Sequence, residues 1–199
     1  MCIALVAYQV ESRYPLIVLA NRDEFLHRPT QAMHLWPGTP RLWAGKDLLA
    51  GGSWFGVSEL GRFALLTNHH GAGPKAPKDA PSRGQLITAY LRDEHTDFAS
   101  HLNQRGPDYA GFNLIYGPFN APIHYSNATG VFTTLSSGIH GLSNALLNTP
   151  WPKVERGKTL LERVLTEKGP EVDSLFEILN DSTPGQGPPY QSLIRIPSQ

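Results

Sequence analysis

The chemistry open to this chain centres on its single cysteine, Cys2, which directly follows Met1. Initiator methionine is normally removed before a small residue, and cysteine qualifies. Removal places a thiol and a free α-amine on one residue. The amine has a reference pKa of about 8 and the thiol of about 8.5, so the amine can take the thiol proton directly or through a water. Nucleophile and base are then united, as acyl transfer requires. The competing reading is a small buried hydrophobe in an apolar strand. Asn21-Arg22-Asp23-Glu24 abruptly ends a second apolar run. If the first two runs pair as a hairpin, this tetrapeptide returns to the chain start. Arg22 can then favour the thiolate, and Asp23 can hold the amine by a charge-assisted hydrogen bond. Without the hairpin it is an ordinary polar turn. Asn68 and Asn144 each follow a hydroxyl residue where a strand yields to a loop. An amide N–H at either position can stabilise an oxyanion, and either residue can equally cap a turn.

Other candidates carry less. His69-His70 are adjacent, and on an extended chain they point to opposite faces. No HExxH motif is present, so no metal or other cofactor is expected. Gly71 to Lys75 lacks the spacing of a phosphate loop. Gly51-Gly52-Ser53 lacks the glycine of a nucleophile elbow. Trp36, Trp43, Trp54 and Trp151 read as core or pocket walls.

These residues need elements to hold them. The 199 residues suffice for one domain, and 40% hydrophobic with 17% charged residues is a globular composition. A net charge of zero removes any strong electrostatic drive toward nucleic acid or anionic membrane. One cysteine excludes an intramolecular disulfide or a cysteine-rich metal site. The run Ile3 to Tyr8 is far shorter than a membrane span and lacks the flanks of a signal peptide. A cytoplasmic protein is the resulting expectation.

Residues 2–10 and 16–20 predict an N-terminal hairpin. Residues 42–49, 54–58 and 62–67 predict further strands, and 68–81 a loop. Ser82-Arg83-Gly84-Gln85 has the form of a capping box before a helix carrying Leu86, Ile87, Tyr90 and Leu91. A second short helix carries Phe98 and Leu102 and ends at Gly106-Pro107. Residues 112–116, 123–125, 131–135 and 138–142 predict an antiparallel meander. A helix over 154–165 follows. Another begins at Pro170, with Val172, Leu175, Phe176 and Leu179 at helical spacing. Residues 192–196 predict a last strand. This block order favours α+β over strictly alternating α/β.

The motifs occur together in a known family. Met1-Cys2-Ile3, Leu19-Ala20-Asn21-Arg22-Asp23-Glu24-Phe25, Gly51 to Val57, Gly61 to Asn68, Ser82-Arg83-Gly84, Gly111-Phe112-Asn113-Leu114, Gly141-Leu142-Ser143-Asn144 and Pro150-Trp151-Pro152-Lys153 come in order over nearly the whole chain. The chain thus resembles the NRDE, or transport-and-Golgi-organisation, family. That family is similar to the N-terminal nucleophile hydrolases, notably the Cys-type acylases of penicillin V and conjugated bile salts.

The resemblance implies a four-layer αββα sandwich in a single domain over residues 1–199. It implies Cys2 as nucleophile, supported by Asp23 with Arg22. Asn68 and Asn144 would hold the oxyanion and the amine. The arginine-like position falls on Arg22 or, with a shift in alignment, on Asn21. Family members usually continue past the last strand with a Gly-Thr-Arg-Ser-Ser-Thr segment, so the domain reads as C-terminally short of its last strands. The implied function is hydrolysis of a non-peptide amide in a small molecule, without a cofactor. The alternative is a non-enzymatic protein that binds or moves a hydrophobic, haem-like ligand, with Cys2 or His69 as axial ligand.

Overall fold

The computed structural model describes residues 2–71 and 79–195. Met1, Ile196 and most of the Gly71 to Lys75 stretch fall outside them. In chain order the strands are β1 (Cys2–Tyr8), β2 (Leu16–Arg22), β3 (Thr30–Trp36), β4 (Leu42–Asp47), β5 (Phe55–Ser58), β6 (Arg62–Asn68), β7 (Phe112–Pro118), β8 (Ile123–Ser126), β9 (Val131–Thr134) and β10 (Gly138–Leu142). The helices are α1 (Gly84–Leu91), α2 (Phe98–Arg105), α3 (Pro152–Glu167), α4 (Val172–Leu179) and the single-turn α5 (Pro189–Ser192). The fold is α+β with two antiparallel sheets. The described chain forms two compact units, Met1–Asp23 with Ser136–Gln199, and Glu24–Leu135.

The first unit is built on a three-stranded sheet in the order β10-β1-β2. The expected hairpin pairs Cys2 with Arg22 and Tyr8 with Leu16. Its loop is held by Glu11, whose carboxylate accepts the backbone N–H of Arg13 at 2.7 Å and of Tyr14 at 2.8 Å. β1 is the central strand, which explains its unbroken apolar run: Ile3, Ala4, Leu5 and Val6 are each 0% exposed. α3 and α4 contribute Leu161, Val164 and Ile178 to a core with Ile3, Leu5, Ala7, Ile17, Leu19 and Ile194. Each of the Ile, Leu and Val side chains stabilises by about 1.5–3 kcal/mol on burial. α3 lies close because Gly157 has no side chain. A Cβ there would sit 2.9 Å from Leu5 Cδ2.

The second unit carries a seven-stranded sheet that follows the sequence, β3-β4-β5-β6-β7-β8-β9. α1 and α2 place Leu86, Ile87, Leu91, Phe98 and Leu102 against Leu42, Ala64, Leu114, Tyr116 and Tyr125. Asp97 caps α2 by accepting the Ser100 N–H at 3.0 Å.

Five local expectations are corrected. β3 was not expected, because its residues are mostly exposed and show no apolar alternation. β10 does not continue the meander but joins β1 in the other unit's sheet. No side chain caps α1: Arg83 occupies the N-cap position, so the Ser-x-x-Gln pattern forms no capping box. Pro170 precedes the N-cap of α4, Glu171, and is not its first residue. Ser192 ends the single turn of α5 and the described residues after it form no strand, because Pro188-Pro189 favours a helix start there.

Candidate active site

The first unit brings Cys2, Arg22, Asp23 and Asn144 to one end of its sheet. The register explains how. β1 and β2 remain paired to Cys2 opposite Arg22, so Asp23 follows beside the thiol. β10 pairs with β1 only as far as Leu142 opposite Ala4. Continued two residues, the same register sets Asn144 opposite Cys2. There a side chain takes over from the backbone ladder, and the Cys2 N–H donates to Asn144 Oδ1 at 3.2 Å. The Cys2 carbonyl is held twice. It accepts from Ser143 Oγ at 2.6 Å and from Lys153 Nζ at 3.3 Å.

The three groups around the Cys2 backbone are enclosed: Asn144 and Lys153 are 0% exposed and Ser143 is 2% exposed. Cys2 itself is half-buried. Burial pushes the thiol up; the positive chain terminus, the Asp23 backbone N–H and the Arg22 guanidinium oppose this, while the Asp23 carboxylate adds to it. Burial likewise raises the Asp23 carboxyl, and the positive charge of Lys153 opposes that rise. Burial lowers the Lys153 ammonium, and Asp23 and the Cys2 thiolate hold it up. The site is therefore a coupled group of one thiol, one carboxyl and one amine. The neutral thiol is the favoured resting form, so chemistry at sulfur needs a base.

Asn68 ends β6, opposite Phe112 of β7, and belongs to the second unit. Next to it, the His69 N–H donates to the Gly111 carbonyl at 2.9 Å. Arg83 Nη1 reaches the same carbonyl at 2.8 Å. A Cβ on Gly52 would lie 2.4 Å from the Gly84 carbonyl carbon. Gly52 and Gly84 thus meet backbone against backbone, which accounts for both glycines by packing alone. Ser53 Oγ donates to the Phe55 carbonyl at 2.9 Å, a turn bond and no nucleophile arrangement. Trp36 is a core residue whose Nε1–H donates to the Ala44 carbonyl at 2.9 Å, while Trp43 is 39% exposed. Trp151 edges onto Tyr190 and lies 5.9 Å from Lys153 Nζ. Among the described residues, no group of three or more His, Cys, Asp or Glu gathers to hold a metal. None of their helices is long and apolar enough to cross a membrane.

Sequence reasoning assigned no role to Lys153 and noted Ser143 only as a hydroxyl beside Asn144. A signal for Lys153 was present. Positions 153, 157, 161 and 164 share one face of α3, and the last three are buried on it. A lysine on that face is enclosed unless the helix end frays.

The model of the Transport and Golgi organisation 2 family matches residues 1–196. The chain belongs to this family. Relatives in it include the Transport and Golgi organization protein 2 homolog of Bos taurus, 38% identical over 175 residues that cover 81% of this chain and 62% of that protein. The Homo sapiens homolog is 36% identical over 188 residues, covering 86% and 67%. The Drosophila melanogaster protein is 28% identical, covering 78% and 61%. The chain thus spans between 61% and 67% of the length of these relatives. Among solved structures, penicillin V acylase from Agrobacterium tumefaciens aligns with a TM-score of 0.48 at 11% identity, over 96% of this chain and 68% of that one.

Proposed function

We propose that this chain is a cysteine-nucleophile hydrolase of non-peptide amides, active once Met1 has been removed. The observation that carries the reading is the bond from the Cys2 nitrogen to Asn144 Oδ1, at a strand end where Arg22 and Asp23 flank the thiol. A nitrogen held by a fixed acceptor keeps a defined direction when it becomes an amine, and a directed amine can serve as base for its own thiol.

In the proposed reaction the Cys2 amine accepts the thiol proton, and the thiolate sulfur bonds to the amide carbonyl carbon. The carbonyl π pair moves onto oxygen, where an Asn144 side-chain N–H donates to it. The C–N bond breaks as the ammonium proton passes to the leaving nitrogen. The products of this half are a free amine and a thioester on Cys2. A water then gives a proton to the Cys2 amine and its oxygen to the acyl carbon. The sulfur departs, recovers that proton, and a carboxylic acid leaves. No step is assigned to Asn68, which lies in the second unit.

Intact mass spectrometry of the purified protein tests this directly. The expected mass lacks Met1. In acid-quenched samples, penicillin V is expected to leave its phenoxyacetyl group on wild-type Cys2, with the bicyclic amine released, and nothing on Cys2→Ala. Complete retention of Met1 in the native protein would sink the proposal.

A further inference from the structure

Among the described residues, one lysine is fully enclosed, and the reaction above does not use it. Lys153 is the second residue of α3 and is 0% exposed. Lysine is almost never fully buried without a compensating partner, because the ammonium loses several kcal/mol of hydration. Its surroundings give the reason for its burial. The Nζ donates to the Cys2 carbonyl at 3.3 Å. The same oxygen takes the Ser143 hydroxyl at 2.6 Å. The two donors reach Cys2 from the β10–α3 side, while β2 supplies Arg22 and Asp23 from the other.

We propose that Lys153 is a positioning residue for Cys2. It clamps the Cys2 carbonyl together with Ser143, and its ammonium is the buried counter-charge of the thiolate and of Asp23. The proposal rests on reading Cys2 as the nucleophile, but not on turnover. Coupling between titrating groups is reciprocal. The Cys2 thiolate and the Asp23 carboxylate favour a charged Lys153, so a charged Lys153 must favour both anions. The ionisable groups facing the thiol are the positive chain terminus, Arg22 and Asp23 from the β2 side, and Lys153 from α3; the β10 side presents the uncharged Ser143 and Asn144. Loss of Lys153 therefore leaves Arg22 as the only side-chain cation among the described groups, against Asp23 and the cost of burial.

The single cysteine makes the test clean, since alkylation of the whole chain reports Cys2 alone. The rate of iodoacetamide alkylation is measured against pH in the wild type and in Lys153→Met, Lys153→Gln and Lys153→Arg. Each is also made in an Asp23→Asn background, which removes the changing charge of Asp23. Met removes charge and donor. Gln removes the charge but keeps a donor for the carbonyl, and Arg keeps the charge. The alkylation midpoint is expected to rise by about one pH unit in the Met and Gln variants, a roughly tenfold slower reaction at pH 7, and to stay near wild type in Arg. If Met fails to fold, the Gln and Arg pair decides. Identical profiles in all variants overturn the assignment, and so does a Gln profile that matches Arg. Because the assay reads the thiol and not hydrolysis, a shifted profile in a protein that cleaves no amide leaves Lys153 in place and removes only the enzyme reading.

Discussion

His124 lies on β8 inside the second unit, 5% exposed, with Nε2 3.4 Å from Asn113 Oδ1. Burial pushes its imidazole down to about 4. An unfolded histidine titrates at about 6.5, so between these values the unfolded chain binds a proton that the native chain refuses. Stability must then fall as pH falls through this window, and become level again below about 4. From about 6.5 to about 4, at about 1.4 kcal/mol per pH unit, the loss is about 3 kcal/mol. That is a large part of the 5–15 kcal/mol of a typical domain. The assay is urea unfolding at half-unit pH steps from 7.5 to 3.5, for the wild type and His124→Gln. Glutamine keeps a polar end for Asn113 but does not titrate, so the variant should lose less stability on acidification by about that amount. Parallel curves for the two proteins across this range would refute the argument, because every other acid-sensitive group is common to both.

Asn127→Ala should cost about 2–3 kcal/mol in chemical denaturation, since it orphans the Phe112 N–H, now bonded to Asn127 Oδ1 at 2.7 Å, and frees the Gly106 carbonyl held at 3.0 Å. Gly157→Ala gains about 0.5–1 kcal/mol of helix propensity but forces a methyl group 2.9 Å from Leu5 Cδ2. Overpacking at about 1–3 kcal/mol wins, so the variant should be less stable by about 1 kcal/mol, and a Leu5→Ala background should abolish the clash. Asn144→Asp keeps an acceptor for the Cys2 N–H but adds a negative charge beside the thiol. Its Cys2 alkylation at pH 7 should be several-fold slower, while Asn144→Ala instead loses about 1–3 kcal/mol of stability.

The hairpin was legible because two signals agreed. An apolar run with few polar residues required a central strand, and the short polar stretch before a second apolar run at 16–20 set its partner. Cys2 opposite Arg22 then follows from the register alone. β3 was invisible for the opposite reason. Edge strands take their stability from one neighbour's ladder, and Thr30 to Leu35 carry little apolar pattern beyond that pairing. β10 shows what local pattern cannot decide. Its residues read as one more strand of a meander, yet its partner is β1, more than a hundred residues earlier. Strand identity is a local property, but the choice of partner is made by the whole chain. Ser192 to Ile196 was read as a last strand. Ile194 does enter the first unit's core, but it does so from a chain with no strand neighbour among the described residues.

The site follows from a mismatch in strand length. β2 accompanies β1 to its first residue, and β10 stops two residues short. A full third ladder would have closed the N–H and carbonyl of Cys2 with backbone groups, leaving no side chain at the thiol. Because β10 ends at Leu142, the next two residues answer Cys2 with a hydroxyl and an amide, and α3 adds an ammonium. Buried backbone groups must find partners, so the ladder's early end demands polar side chains at these positions. The same demand makes them adjacent to the thiol. A buried lysine would be a liability elsewhere in this unit. Here the Asp23 carboxylate and the Cys2 carbonyl offset the loss of its hydration, and its own charge in turn favours the carboxylate and the Cys2 thiolate. A substitution that kept the fold but extended the β10 ladder to Cys2 would therefore remove the electrostatics of the site along with its hydrogen bonds.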